Sequence, residues 1–311
     1  MSTIDLQHLR QWIGKTHVDH DVLSSRHARL MAATLGIPQG DLVSGYPLPP
    51  LWHWLYFLDG LPPEKLGRDG HPARGGFLPP VPLPNRMWAG GQLEFRKALP
   101  LDGSVEKRSS IVSIEHKQGR SGELVFVTVL HEILHAGEVA ISEHHDIVYK
   151  EATPPGSSKP LTTMPQAIHS REFLPDSTTL FRYSALTFNG HRIHYDANYC
   201  RDVEGYGSQV IHGPLNATLL AGYAESIAGK PVKHFNYRGL QPAMLGAKLS
   251  LNAVHEGDDL LLWVSLPDGA VSMQARFCFL FCNRNKKCCM SHVNDVPFTL
   301  AWSLPTTNLI N

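Results

Sequence analysis

The sequence predicts an α+β chain in which two antiparallel sheets, each wrapped around a central helix, join into one continuous sheet. Two observations predict it. Each half of the chain shows long strands separated by a glycine turn, and the halves share letters at matching places. Pro82-Leu83, five residues and Ala89-Gly90 match Pro214-Leu215, five residues and Ala221-Gly222, with Phe95-Arg96 and Tyr237-Arg238 following at similar distances. A length of 311 residues suits two units of roughly 150 residues. An apolar fraction of 42% supplies ordinary packed cores and excludes wholesale disorder.

The first 36 residues read as helix. Ser2 and Asp5 have capping-box spacing, and Leu6, Leu9, Trp12 and Ile13 form one apolar face before Gly14. A second helical pattern, with Leu23, Leu30, Met31 and Leu35 apolar, starts near Asp21 and stops at Gly36 and Pro38. A Pro/Gly-rich stretch from Gly45 to Gly91 follows, interrupted by the bulky run Trp52 to Phe57, which predicts a short buried strand.

Residues 92–150 read as β throughout, with strands at Val105–His116, Leu124–Leu130 and Val139–Tyr149 and turns at 119–122 and 135–137. Residues 151–165 have linker composition. In the second half a helix is predicted from Pro214 to Ala228. Strands follow at His234–Arg238, Lys248–His255, Leu260–Leu266 and Ala270–Phe281. A helix followed by long antiparallel strands buries its apolar face in the sheet that wraps it. Two such units side by side make a double hot-dog, with expected bounds of 1–150 and 166–281. Residues 282–311 form a tail in which helix and strand patterns fade.

Twenty-eight Lys plus Arg balance 28 Asp plus Glu. A chain without net positive charge is a poor nucleic-acid or anionic-membrane binder, so neither partner is expected. No apolar run approaches the ~20 residues of a membrane span. The N-terminus has neither signal- nor transit-peptide order, so the expected compartment is the cytoplasm, or the mitochondrial matrix for a eukaryotic chain.

Three constellations could carry chemistry. His131-Glu132-Ile133-Leu134-His135 fits the H-E-x-x-H zinc-protease pattern, which requires a helix. Its context is β: on a strand the two imidazoles share a face but stand ~13 Å apart, too far for one zinc ion. Cys278, Cys282, Cys288, Cys289 and His292 have zinc-ligand types, but adjacent cysteines without a second C-x2-C pair do not make a site, and no metal or cofactor is expected. The third runs from Phe181 to Asp196 and packs Asn189, His191, Arg192, His194 and Tyr195 behind an apolar stretch. His212-Gly213-Pro214 follows. Pro214 suits a first helical position and Gly213 an N-cap, and a helix starting there points free N–H groups outward beside an imidazole. On composition alone, a solvated polar loop remains equally open. Cys200, six residues after His194, reads as small-residue packing rather than a nucleophile.

The segment RYSALTFNGHRIHYD, residues 182–196, followed by QVIHGPL, residues 209–215, resembles the MaoC-like hot-dog hydratases. The similarity is to the double hot-dog branch of mesaconyl- and itaconyl-CoA hydratases and the mitochondrial type 2 hydroxyacyl-thioester dehydratases of fungi. HWLYFLDGLPPEKLGRDGHPARGGFLPPVPLPNRMWAGG and RSGELVFVTVLHEI resemble it too, and the likeness spans residues of about 20 to 275. It implies reversible hydration of a 2-enoyl thioester carried by CoA or acyl-carrier protein, with a C5 dicarboxylyl group such as mesaconyl or itaconyl as one acyl candidate. In the wider group a catalytic Asp precedes the catalytic His by five residues. The resemblance therefore makes His194 the catalytic imidazole, puts Asn189 where the acid stands, and makes the Gly213 N–H the donor to the thioester oxygen. His191, Tyr195 and His212 are expected to line the substrate. Arg86 and Arg192 could receive a terminal carboxylate, or serve as ordinary ion pairs. The first half lacks an N-x-x-x-x-H counterpart near Ala33–Gly36 and is expected to bind the acyl part. Competing readings are a (3R)-hydroxyacyl-carrier-protein dehydratase and a non-catalytic acyl-thioester binder. A homodimer is open but not required, since one double unit could suffice.

Overall fold

The computed structural model describes residues 4–119, 122–151 and 162–279. Ten strands form one antiparallel sheet, and their order shows the duplication directly. The first unit contributes β1 (Thr16–Val22), β2 (Asn85–Phe95), β3 (Ser104–Gly119), β4 (Gly122–His135) and β5 (Glu138–Lys150). The second contributes β6 (His169–Phe173), β7 (His234–Gly239), β8 (Leu249–Glu256), β9 (Asp259–Ser265) and β10 (Val271–Cys278). The sheet order β1-β3-β4-β5-β2-β7-β10-β9-β8-β6 is the same five-strand arrangement written forwards and then backwards. This is the double hot-dog fold.

The helices are α1 (Leu6–Leu9), α2 (Ser25–Leu35), α3 (Ser177–Leu186), the single-turn α4 (Ala197–Tyr199) and α5 (Gly213–Ala228). Helix α2 follows β1 as α3 follows β6. The two pack on each other, and the His27 Nε2 lies 2.8 Å from the Leu186 carbonyl oxygen across them. Helix α5 lies on β7–β10 and buries Leu215, Ala217, Leu220, Ala221 and Ala224. One apolar core runs from Leu93 and Ile141 of the first unit to Phe235 and Phe277 of the second.

Several local expectations are corrected. Residues 16–22 are strand, not helix: THVDHDV is an edge strand paired to β3, and its charged residues keep that edge wet. Helix α2 therefore starts later, where the Ser24 hydroxyl accepts from the His27 N–H. The run Trp52–Leu55 is a 3-10 turn entered through Leu51 at φ 68°, which lets the Trp54 indole reach Glu143. The letter match of Pro82-Leu83 with Pro214-Leu215 does not mark equivalent elements. Ala89-Gly90 lies in β2 and Ala221-Gly222 in α5, whereas Phe95 and Tyr237 do fall on the equivalent strands β2 and β7. The main asymmetry is α5, which has no α-helical counterpart between α2 and β2. On the first unit's sheet the stretch after α2 supplies Trp52, Leu55, Tyr56, Val81 and Leu83 to the cores instead.

The strands expected in 105–149 and 234–278 are present with small shifts of their ends. His131 and His135 both lie in β4, their rings against Ser109 Oγ and the Ser104 carbonyl, so the zinc-protease geometry is absent. Most of the 151–165 linker and the whole of 282–311 lie outside the described residues. Among the described residues no helix is long and apolar enough to cross a membrane.

The two units meet at β2 and β7, with Gly90 opposite Arg238 and Gly91 opposite Tyr237. A methyl on Gly91 would stand 2.5 Å from the Tyr237 hydroxyl and 2.7 Å from the His144 carbonyl. Glycine is required because the seam closes here. Gly91→Ala is expected to destabilise the protein by about 1–3 kcal/mol, the usual cost of an unaccommodated methyl, read as a lowered melting temperature.

Candidate active site

The site forms where a loop of the first unit meets the loop between α3 and α5. The backbones touch: Arg192 N–H donates to the Asp69 carbonyl at 2.9 Å, and a methyl on Gly70 would collide with the Gly190 carbonyl oxygen. Gly70 also sits at φ 86°, a conformation that favours glycine. The contact places His71 and His191 ring to ring, 4.1 Å apart, and His191 then stands edge-on to His194 at 5.4 Å. His194 stacks on His212 at 3.6 Å, completing a row of four imidazoles.

His194 is in the best-defined state of the four. It is buried, and its Nδ1 lies 2.7 Å from the Val210 carbonyl oxygen, which can only accept. The hydrogen is therefore on Nδ1, and Nε2 carries a lone pair. Burial lowers its pKa to about 4 despite the favourable bond to Val210. It is a neutral imidazole with its acceptor nitrogen set by the backbone. His212 is fully buried as the N-cap of α5, with Nε2 2.8 Å from Ser184 Oγ and burial pushing its pKa well down. Gly213 is thus the first helical residue and His212 the N-cap, so the helix starts one position earlier than expected. Its N–H precedes any intrahelical acceptor and has no partner among the described residues. Trp88 of β2 covers it: a methyl on Gly213 would meet the indole at 3.0 Å.

Trp88 is held in turn by a buried polar group. Trp54 stands edge-on to it at 5.1 Å and donates its indole N–H to Glu143, which also receives His53 Nε2 at 3.0 Å. Burial alone would raise the Glu143 carboxyl. The His53 bond and the neighbouring His131 and His145 outweigh it and hold the carboxylate at about 2.

The other expected residues are placed as follows. Asn189 is half-buried in the loop, and its Oδ1 accepts from the His191 N–H at 3.0 Å, leaving the amide Nδ2 for another partner. Arg192 is bound to Asp196 through Nε at 3.1 Å and Nη2 at 2.8 Å, and stacks on Tyr199. Tyr195 is exposed and donates to the Gly190 carbonyl. Arg86, half-buried on β2 opposite Tyr149, has no carboxylate in ion-pair contact among the described residues, and its charge acts on Asp69, His71 and His145. Cys200 donates its thiol to the Ile193 carbonyl and packs, as expected.

Asp69, His71, Trp88 and Ser184 belong to the site and were not singled out. The one available signal for the first two was an Asp-Gly-His turn inside the Pro/Gly-rich stretch. Asp69, His71 and His191 offer oxygen and nitrogen atoms within 4.8 Å of one another. The nearby Arg86 and Arg74 charges oppose a cation there.

Fold and relatives together define the class: a double hot-dog hydro-lyase acting on acyl thioesters. The chain belongs to the hydroxyacyl-thioester dehydratase type 2 family, whose model matches residues 51–245. Over 269 residues it is 42% identical to mesaconyl-C(4)-CoA hydratase of Chloroflexus aurantiacus, covering 85% of this chain and 95% of that one. Among solved structures, a MaoC-like dehydratase from Phytophthora capsici superposes with a TM-score of 0.66 at 15% identity, over 89% of this chain and 98% of that chain. A Mycobacterium tuberculosis protein described as a double hot-dog superposes at 0.57 and 12% identity, over 85% and 95%. These two likenesses concern the fold alone.

A base that must be neutral to act loses activity when it is protonated. If His194 acts in this way, kcat should fall as pH drops through about 4 and stay level near neutrality, checked by a kcat–pH profile between pH 3.5 and 8.

Proposed function

We propose that the enzyme adds water reversibly across the C2–C3 double bond of a branched C5 dicarboxylyl-CoA. The observation that carries the reaction is the pairing of two groups: the Nε2 lone pair of His194, fixed by the Val210 carbonyl, and the free Gly213 N–H at the start of α5. The Gly213 N–H receives the thioester carbonyl oxygen, where enolate charge builds as water attacks C3. His194 takes a proton from that water as its oxygen bonds to C3, then returns the proton to C2. The Asn189 amide donates to the water oxygen and steadies it against C3. His212 backs His194 by stacking, and His191 closes its other side.

The dicarboxylyl preference is supported by Arg86 and by the mesaconyl thioester named for the 42% identical relative. Arg86 has no ion-pair partner among the described residues, whereas Arg192 already gives two N–H groups to Asp196 Oδ2. We assign the free carboxylate to Arg86 and give Arg192 the task of bracing the His191–His194 loop. The family description also fits the reverse reaction on a hydroxyacyl thioester.

Two sets of experiments test this. A panel of enoyl-CoA and hydroxyacyl thioesters, on CoA and on acyl-carrier protein, is followed by the loss or gain of conjugated thioester absorbance. C5 dicarboxylyl-CoA should react fastest, and binding without turnover anywhere would show a non-catalytic thioester binder. Arg86→Ala should raise KM for the dicarboxylyl substrate by about tenfold or more while leaving a monocarboxylic enoyl-CoA nearly unchanged. His194→Ala should lose about 10²–10⁴-fold in kcat, the range of a lost general base. Asn189→Asp should retain measurable activity, and near-normal turnover by His194→Ala would move the base elsewhere.

A further inference from the structure

Five residues before His194, where the resemblance places an acid, this chain carries Asn189, whose Oδ1 is already bonded to the His191 N–H. A carboxylate nevertheless reaches the site from the other unit. Asp69 Oδ1 accepts from the His71 backbone N–H at 3.1 Å, and Oδ2 lies 3.2 Å from His71 Nδ1. We infer that Asp69 and His71 form a positioning dyad that replaces the missing acid, with His71 Nε2 accepting the second hydrogen of the reacting water. The inference rests on the hydratase reading above.

Asp69 sets the tautomer of His71. An ionised carboxylate can only accept, so the hydrogen between Asp69 and His71 sits on Nδ1 and Nε2 becomes the acceptor. No hydrogen bond engages Nε2 among the described residues, and the ring faces His191, one imidazole away from His194. Asp69 stays ionised: burial would raise its carboxyl, but the bonds to His71 and the Arg86 charge outweigh that and hold it low. His71 stays neutral. Burial and the charges of Arg86 and Arg74 outweigh the opposing pull of Asp69. His191, against its other face, is neutral for the same reason of burial, reinforced by His71 and His194. The atoms balance without any charge on His71. Water gives one proton to His194 while its oxygen bonds to C3, and His194 returns that proton to C2. The other hydrogen remains on the new hydroxyl, hydrogen-bonded to His71 Nε2. In dehydration the same contact holds the departing hydroxyl.

The first unit then takes part in the chemistry beside the second. It supplies one of the two acceptors around the water, through a loop pinned by Gly70 on Gly190.

The test compares wild type, Asp69→Asn, His71→Gly and His194→Ala on the same C5 dicarboxylyl enoyl-CoA. Asp69→Asn preserves shape but lets the side chain donate to Nδ1, flipping His71 to the wrong tautomer. It should cost at least about tenfold in kcat with little change in KM. ¹⁵N NMR should show protonation moving from Nδ1 to Nε2 of His71. Loss of the carboxylate also makes His71 harder to protonate, so any acid limb due to His71 moves to lower pH. His71→Gly should lose roughly 10²-fold and recover part of it with added imidazole, which a merely structural residue would not do. Asp69→Asn and His71→Gly within threefold of an active wild type, or an unchanged His71 tautomer in Asp69→Asn, would overturn the dyad alone. A wild type inactive on every thioester would instead sink the hydratase reading. Activity stripped by EDTA and restored by zinc would overturn the dyad in favour of a cation held by the same side chains.

Discussion

The site depends on one backbone contact between the two units. Gly70 and Gly190 face each other so closely that a single methyl on either would collide with the other strand of chain, and Arg192 N–H ties the loops with one hydrogen bond. Close packing of two irregular loops is normally prevented by side chains, and two glycines remove that obstacle. Everything polar at the centre follows from it. The contact brings His71 onto His191, His191 stands beside His194, and Asp69 enters a region where the second unit's loop places the Asn189 amide.

A second constraint reaches the same point from below. The Glu143 carboxylate is buried at a cost that only hydrogen-bonded partners offset, and His53 and Trp54 provide them. That bond fixes Trp54, whose ring fixes Trp88, whose ring closes over Gly213. The donor end of α5 is therefore shaped by a carboxylate several residues of packing away, on a strand of the other unit. A hydrophobic cluster could fill the same volume, but it would leave the indole N–H of Trp54 without an acceptor.

Much of this was legible in the sequence. The glycine-bounded β runs from Val105 to Tyr149 and from Lys248 to Ala275 are strands because their apolar and β-branched residues fit a pleated, half-buried surface. The helix starting at Gly213-Pro214 was readable from proline's fixed φ, and the strand setting of His131-Glu132-Ile133-Leu134-His135 from the run before it. What escaped reading is non-local. Edge strand β1 carries His17, Asp19, His20 and Asp21, and such a pattern looks helical until its partner strand is known. The Trp52 run looks like a strand until Glu143 is seen to hold it. Asp69 and His71 sit among prolines and glycines with no periodicity, so nothing in the sequence alone shows that their loop crosses to the other unit.

The asymmetry of the duplication has a physical logic. A helix N-terminus offers free N–H groups, and in the second unit α5 starts at a buried imidazole row with no side chain capping its first N–H groups. A matching long helix in the first unit would occupy the space now filled by Trp52, Trp54 and the chain beyond them, and would displace Trp88 from Gly213. Keeping one helix and replacing the other with an irregular stretch leaves room for a loop that can reach across the seam. The ten-stranded sheet makes this tolerable, because the β2–β7 pairing holds both halves in register whatever the loops above it do. Duplication supplied two equivalent sheets. Divergence of what lies on them put His194 and the start of α5 on one, and Trp88 and the His71 loop that faces them on the other.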